Sequence, residues 1–330
     1  MSKITDLTMN RRGLLKLTAP AMLAAMAPAA WAAGGKRFAY LTPGLDLPFW
    51  RYLAKGVDDT VKAAGGTNTT YDSHNSAQTQ LQNAQDVISR GVDGIIISPT
   101  DSSTAPAVIA AAERAKIPVV IADIGTTSGD YVSFVTSNNG QGAYETGQAL
   151  AKAIKAKGWQ NGTFGLVTIS LARKNGQLRT AGFRRAMAEI GMKEAQLSQM
   201  QTYTADETFR FTQDMLTAHP DMRALFVETD DPALGAARAI KAGRREGEIL
   251  LAAFDGVPAF VPMLESGEIT VAGMQQPYLI GVTCCQAMLD HLAGKTPEKN
   301  VLLPVEIVTS QNVKQLLPEI TRTVFANNMG

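Results

Sequence analysis

The side chains best suited to chemistry in this chain of 330 residues stand at the ends of apolar runs. Asp123 follows Val119-Val120-Ile121-Ala122, and Asp255 follows Leu251-Ala252-Ala253-Phe254. A carboxylate accepts two donors at once, so both can fix a hydroxyl-bearing ligand; each could instead cap the turn that follows. Thr100-Asp101 and Thr229-Asp230 close two further runs and precede helical patterns, where capping is at least as good a role. Arg179 opens a helical pattern, and its forked guanidinium can reach hydroxyl or ring oxygens or sit in a solvated salt bridge. Phe49, Trp50, Tyr203 and Phe254 offer flat apolar faces, with helix packing as the competing role for Phe49 and Trp50. These are groups for holding a ligand. The three histidines, His74, His219 and His291, are scattered, and neither a Gly-x-Ser-x-Gly elbow, a His/Cys metal spacing nor a P-loop occurs. The chain therefore reads as a non-enzyme that uses no cofactor or metal.

The elements that position these residues occur twice. Gly56 and Gly65-Gly66 bracket one amphipathic helix, and Gly182 and Gly191 bracket another at the same spacing. In the first copy the apolar periods predict strands at 37–41, 68–72, 94–98, 119–122 and 132–135, and helices at 48–64, 77–89, 105–115 and 142–157. In the second they predict strands at 164–169, 195–201, 224–227, 249–253 and 270–274, and helices at 178–190, 207–218, 232–242 and 257–265. A helix at 279–292 and a strand at 301–308 remain. Nearly continuous β-branched strands alternating with helices argue for parallel sheets covered on both faces. The expected fold is α/β: two similar doubly wound parallel-sheet lobes, joined by a three-stranded hinge, with a ligand cleft between them. Chain crossings are expected near Ser137-Asn138, Gln275-Gln276 and Glu306-Ile307. Lobe one is then 33–137 plus 276–306, and lobe two is 138–275 plus 307–330.

The N-terminal 32 residues read as an export signal. Asn10-Arg11-Arg12-Gly13-Leu14-Leu15-Lys16 precedes an alanine-rich stretch, and Ala30-Trp31-Ala32 supplies a small-x-small cleavage site. The paired arginines resemble a twin-arginine signal, with the general secretion route as the competitor. This segment carries a surplus of +3 charges, so the formal +1 of the whole chain leaves −2 on the remainder. Such a body has no basic surplus to attract nucleic acid. Cys284 and Cys285 are adjacent inside a helical pattern, where a mutual disulfide does not fit, and read as core thiols.

Taken in order, several segments resemble periplasmic sugar-binding proteins of the ribose-binding type, the solute receptors of ABC importers with the type I periplasmic binding protein fold. These are Leu47-Pro48-Phe49-Trp50, 91–101 (GVDGIIISPTD), Ile117-Pro118-Val119-Val120-Ile121-Ala122-Asp123, Ala218-His219-Pro220-Asp221, Ala233-Leu234-Gly235-Ala236 and Phe254-Asp255-Gly256. The resemblance covers residues 37 to about 310. It implies a small sugar or polyol as ligand, an ABC permease with its ATPase as partner, a periplasmic location and a monomer. It also implies a binding role for Arg179, which precedes Thr180-Ala181-Gly182-Phe183, and for Gln275 at a crossover, with Gln276 as its neighbour. Thr229 joins the site on the same ground, and Pro43, Asp46, Leu47, Ser98, Ile124, Ser137 and Asp230 are further candidates. The family often has asparagine where this chain has Leu47, Ser98 and Thr229, and arginine where it has Ile124. A site built for ribose would leave hydroxyls unpaired here, so a different ligand is expected: a deoxy, branched or furanose sugar, or a small polyol. A receptor presenting its ligand to a chemoreceptor or sensor kinase is the alternative role. A repressor-type core and a glycosidase are weaker alternatives, the first because an export signal stands where a DNA-binding helix-turn-helix would be. Phe49 and Trp50 face Arg179 across the expected cleft, so one lobe should mainly stack and the other mainly grip.

Overall fold

A computed structural model describes residues 35–328. The expected export segment lies outside the described residues, which form one compact unit. Within it, β1 (Arg37–Thr42), α1 (Pro48–Ala63), β2 (Thr67–Asp72), α2 (Ala77–Ser89), β3 (Gly94–Ile97), α3 (Ala105–Arg114), β4 (Val119–Ala122) and β5 (Ser133–Ser137) form the first series. The second runs α4 (Asn139–Lys157), β6 (Thr163–Thr168), α5 (Lys174–Ala188), β7 (Lys193–Gln199), α6 (Ala205–Ala218), β8 (Met222–Val227), α7 (Asp230–Ala242), β9 (Leu250–Phe254), α8 (Phe260–Ser266) and β10 (Val271–Met274). It is followed by α9 (Pro277–Leu292), β11 (Asn300–Leu303), β12 (Glu306–Thr309) and α10 (Val313–Thr323).

The two sheets have orders β11-β5-β4-β3-β1-β2 and β12-β10-β9-β8-β6-β7, the same path strand for strand. Neighbouring strands are parallel throughout, except that β12 is antiparallel to β10. This exception departs from the all-parallel expectation, and the run 301–308 is two strands, not one. Pro304, which has no N–H to give a ladder, stands in the break. The chain crosses there, at Pro304-Val305, slightly before the expected Glu306-Ile307. The direction of β12 follows from geometry. Strands of both lobes end at the cleft, so a segment leaving lobe one at the cleft end of β11 enters lobe two from its cleft side. It must then run against its neighbours.

The repeated glycines have matching duties. A Cβ on Gly56 would lie 2.2 Å from the Tyr278 carbonyl of α9, and one on Gly182 would lie 2.3 Å from the Gly140 carbonyl of α4. Each glycine thus lets two helices touch backbone to backbone. Gly65 and Gly191 adopt φ of 76° and 73° and end their helices in the left-handed conformation. The apolar faces behave as their spacing predicts: Phe49, Leu53, Val57 and Val61 are all buried on one side of α1, against Ile280, Cys284 and Met288 of α9. Cys284 and Cys285 are buried free thiols. No helix among the described residues is long and apolar enough to cross a membrane.

Helix α5 begins at Lys174, four residues before the expected Leu178. Its first turn, Lys174-Asn175-Gly176-Gln177, has no apolar period to announce a helix, and Gly176 reads as a break. Gly176 is instead needed for space, since a Cβ there would lie 2.8 Å from the Ser170 carbonyl.

Candidate functional site

The C-terminal ends of parallel strands meet the N-termini of the following helices along one edge of each sheet, where α/β folds hold ligands. Here the two edges face each other across a narrow cavity of about 20 Å³, so the lobes are drawn close together. From lobe one come Leu47, Phe49 and Trp50, after β1, and Asp123, after β4. From lobe two come Ile169, Arg173 and Asn175 after β6, with Arg179 one helical turn further along α5. Tyr203, Thr229 and Asp255 follow β7, β8 and β9, and Gln275 lies at the crossover after β10. Asp123 and Asp255 both adopt left-handed backbone, φ 60° and 62°. Aspartate tolerates this region better than most residues, and the kink turns each carboxylate out of its strand direction into the cavity.

Arg179 organises the lobe-two wall. Its side chain is 2 % exposed, and its Nε donates to Asn139 Oδ1 at 2.7 Å. Its Nη1 donates to the Glu228 carbonyl at 2.7 Å and lies 3.5 Å from Asp255 Oδ1. The guanidinium covers the Phe254 ring at 4.4 Å. Gln275 Nε2 also donates to Asp255 Oδ1. Thr229 Oγ1 lies 2.9 Å from Asp255 Oδ2 and 3.2 Å from Asp230 Oδ1. One hydroxyl proton serves only one of these, and the second is a hydrogen bond only when a carboxyl carries a proton. Burial, with Asp255 and Asp231 nearby, raises Asp230 to about 7 and so favours that proton. Burial likewise raises Glu228 to about 8, tempered by the Thr180 hydroxyl and Arg179. Asp123 rises to about 6 through burial, tempered by Arg179. Two buried acceptors at the cavity, Asp123 Oδ1 and Gln275 Oε1, have no hydrogen-bond partner. A ligand offering hydroxyl donors satisfies both.

Several bonds join the lobes across the cleft. Asn175 Nδ2 donates to Asp123 Oδ2 at 3.1 Å, and the Phe49 N–H to Asp230 Oδ2 at 3.3 Å. Arg173 Nε donates to the Thr100 carbonyl at 3.0 Å and its Nη2 to Asn75 Oδ1 at 3.1 Å, while its guanidinium lies 5.1 Å from the Tyr203 ring centre. Leu47, Trp50, Arg173 and Tyr203 also border a wider hollow outside the cavity, so they form the wall between the two.

Of the residues singled out from sequence, Phe49, Trp50, Asp123, Arg179, Tyr203, Thr229, Asp255, Gln275 and Leu47 line the cavity. Phe254 does not; it is fully buried behind Arg179 and packs edge-on against Phe226, so it supports the arginine and presents no face to a ligand. Ile124 is buried in the lobe-one core. Ser98 is hydrogen-bonded to the Tyr40 hydroxyl at 2.9 Å and accepts from Gln80 through its carbonyl. Pro43 and Ser137 are buried away from the cavity, Asp46 borders the outer hollow, and Asp230 stands behind Thr229. Gln276 donates to the Pro304 carbonyl, which ties two crossings together.

Ile169, Arg173 and Asn175 were missed by sequence reasoning, although a signal for them existed. Carrying the match of Gly56 with Gly182 back along both helices sets Leu47, Pro48 and Phe49 opposite Arg173, Lys174 and Asn175, and Pro43 opposite Ile169.

The paired sheets, the three crossings and the cavity between the lobes have a known counterpart. A model of the periplasmic binding protein domain matches residues 38–296. The chain belongs to the periplasmic binding protein family. Among its relatives, the D-ribose/D-allose-binding protein of Pseudomonas aeruginosa is 33% identical over 242 residues, covering 70% of this chain and 74% of that one. The ribose import binding protein of Salmonella typhimurium is 29% identical over 303 residues, covering 92% of this chain and 100% of that one. The solved structure of a carbohydrate transporter solute-binding protein from Agrobacterium radiobacter, in complex with D-arabinose, superposes with a TM-score of 0.81 at 22% identity. It covers 89% of this chain and 99% of that chain, a likeness of fold.

Proposed function

We propose that this periplasmic binding protein captures a small sugar or polyol between its lobes and delivers it to the membrane permease of an ABC importer. The observation that carries this reading is the set of side chains that meet between the lobes. Asp123 of one lobe stands against Arg179 and Asp255 of the other, with Phe49, Trp50 and Tyr203 as apolar faces. That is the equipment for a molecule with hydroxyls around its edge and C–H groups on its faces. The names of the relatives, ribose import and D-ribose/D-allose binding, point to the same class.

Capture works by shifting an open–closed equilibrium. A ligand that touches both walls favours closure by the contacts it makes only there. The Asn175–Asp123 and Arg173–Thr100 bonds belong to the closed arrangement and add to its stability. The rims of the two lobes then present a surface for the permease, whose cytoplasmic ATPase drives uptake. The protein acts as a monomer in the periplasm, exported through the twin-arginine-like segment 1–32 and cleaved near Ala32.

The ligand differs from ribose, because Leu47 and Thr229 stand at the cavity where the ribose-binding pattern often has asparagine. A panel of sugars and polyols read by melting temperature tests both statements. A ligand that binds only the folded state raises the melting temperature, by about 2.7 kcal/mol of stabilisation at a hundredfold excess over Kd. Stabilisation by one or a few sugars is expected, with ribose behind the best. Ribose as the strongest stabiliser would contradict the ligand assignment, and no response to any sugar or polyol would contradict the function.

A further inference from the structure

The hydrogen-bonding groups of the cavity are divided unequally between the lobes. Lobe two supplies Arg173, Asn175, Arg179, Tyr203, Thr229 and Asp255. Lobe one supplies one carboxylate, Asp123, and otherwise Leu47, Phe49 and Trp50, among which the Trp50 indole N–H is the sole side-chain donor. Leu47 packs against the lobe-one core with Phe49 and Trp50, and also against the lobe-two core that contains Ile169 and Tyr203. Leu47 from lobe one and Ile169 from lobe two both line the cavity, so each lobe adds an apolar side chain to it.

Leu47 is also a poor choice for its own backbone. It is the N-cap of α1 and makes no side-chain cap hydrogen bond, where asparagine, serine or aspartate is preferred; the Phe49 N–H takes its acceptor from Asp230 of the other lobe instead. A polar residue at this place would cap the helix and face the cavity; leucine does neither. A residue that breaks a local preference at a binding cavity points to selection by the ligand. The matching N-cap of α5 is Arg173, so the same backbone position carries opposite chemistry in the two lobes.

We infer that the ligand is a sugar with a deoxygenated edge, a methyl or methylene where a hydroxyl-bearing carbon would otherwise be, turned toward Leu47 and Ile169. This rests on the sugar-capture reading and narrows it. The remaining hydroxyls face Asp123, Arg179, Asp255 and Gln275, where the partnerless Asp123 Oδ1 and Gln275 Oε1 accept from them. A fully hydroxylated counterpart must bury a hydroxyl against these two side chains without a partner, which lowers its affinity roughly 10- to 100-fold.

The test is calorimetric titration with matched pairs: L-fucose against L-galactose, L-rhamnose against L-mannose, and 5-deoxy-D-ribose against D-ribose. In at least one pair the deoxy member should bind about tenfold or more tightly. Leu47→Asn should shrink or reverse that ratio, as should Ile169→Thr, with folding of both variants checked by melting temperature. A hydroxylated member that binds as well as its deoxy partner in every pair that binds overturns the inference and leaves sugar capture standing. A preference that both variants leave unchanged overturns it too. Absence of binding by every sugar and polyol removes the capture reading and this inference together.

Discussion

The two lobes share one backbone plan and differ in what they show the cavity. Sheet order, the close approach at Gly56 and Gly182, the left-handed ends at Gly65 and Gly191, and the left-handed aspartates Asp123 and Asp255 all repeat. The first turns of α1 and α5 do not. Leu47 and Phe49 stand opposite Arg173 and Asn175, so lobe one presents mainly apolar faces and lobe two mainly hydrogen-bonding groups. Backbone-level constraints tolerate no substitution without moving a helix, whereas side chains at the helix starts are free to follow the ligand. The repeat thus separates what builds the cleft from what chooses its contents.

The largest effect should come from cutting the lobe-two grip. Arg179→Ala removes a fully buried charge from Asp255, Asn139 and the Glu228 carbonyl. Titration calorimetry should show affinity falling at least about 100-fold, and the melting temperature should fall as well, since breaking a buried pair costs about 3–5 kcal/mol. Trp50→Ala in lobe one should cost only about tenfold in affinity. A reversed order would end the division into a stacking and a gripping lobe.

The shared half of the comparison is tested at the glycines. Gly56→Ala and Gly182→Ala each press a methyl into a carbonyl of the partner helix, and each should destabilise by roughly 1–3 kcal/mol in denaturant titration. Damage to one lobe alone would show that the two helix contacts are not equivalent.

A smaller effect is expected in the pH dependence, which should belong mainly to lobe two. Asp123, Glu228 and Asp230 have folded pKa values of about 6, 8 and 7, above ordinary values of 3.8, 4.5 and 3.8. The folded state therefore binds more protons than the unfolded chain across this range, and stability falls as pH rises through it. The free protein should melt at a higher temperature at pH 5 than at pH 8. Asp230→Asn keeps the acceptor for the Phe49 N–H and removes one ionisation, so it should raise the melting temperature at pH 8 by about 2–4 °C. A flat pH profile, or one unchanged by Asp230→Asn, would mean that these carboxylates stay hydrated.

Much of this was legible in the sequence. The β-branched runs announce buried strands, and Asp123 and Asp255 stand out because a carboxylate ending an apolar strand needs a reason to be there. Arg173 and Asn175 were hidden, since a polar first helical turn carries no period and Gly176 imitates a break. Phe254 misled for a related reason: strand alternation says which way a side chain points, but not that Arg179 lies over it. A crossing near Glu306-Ile307 was legible, but 301–308 reads as one strand because its apolar residues run on across Pro304, so the break there and the reversal of β12 were not.

The sequence by itself determined the repeated α/β plan, the helix-closing glycines and the pair of strand-end carboxylates, because each of these depends on short-range periodicity or on one residue's conformational range. The tertiary structure alone decided that Ile169, Arg173 and Asn175 join the cleft, which groups bond across it, and that β12 runs against its sheet. Those facts depend on residues far apart in the chain coming together at the facing edges of two sheets, and no local pattern encodes that meeting.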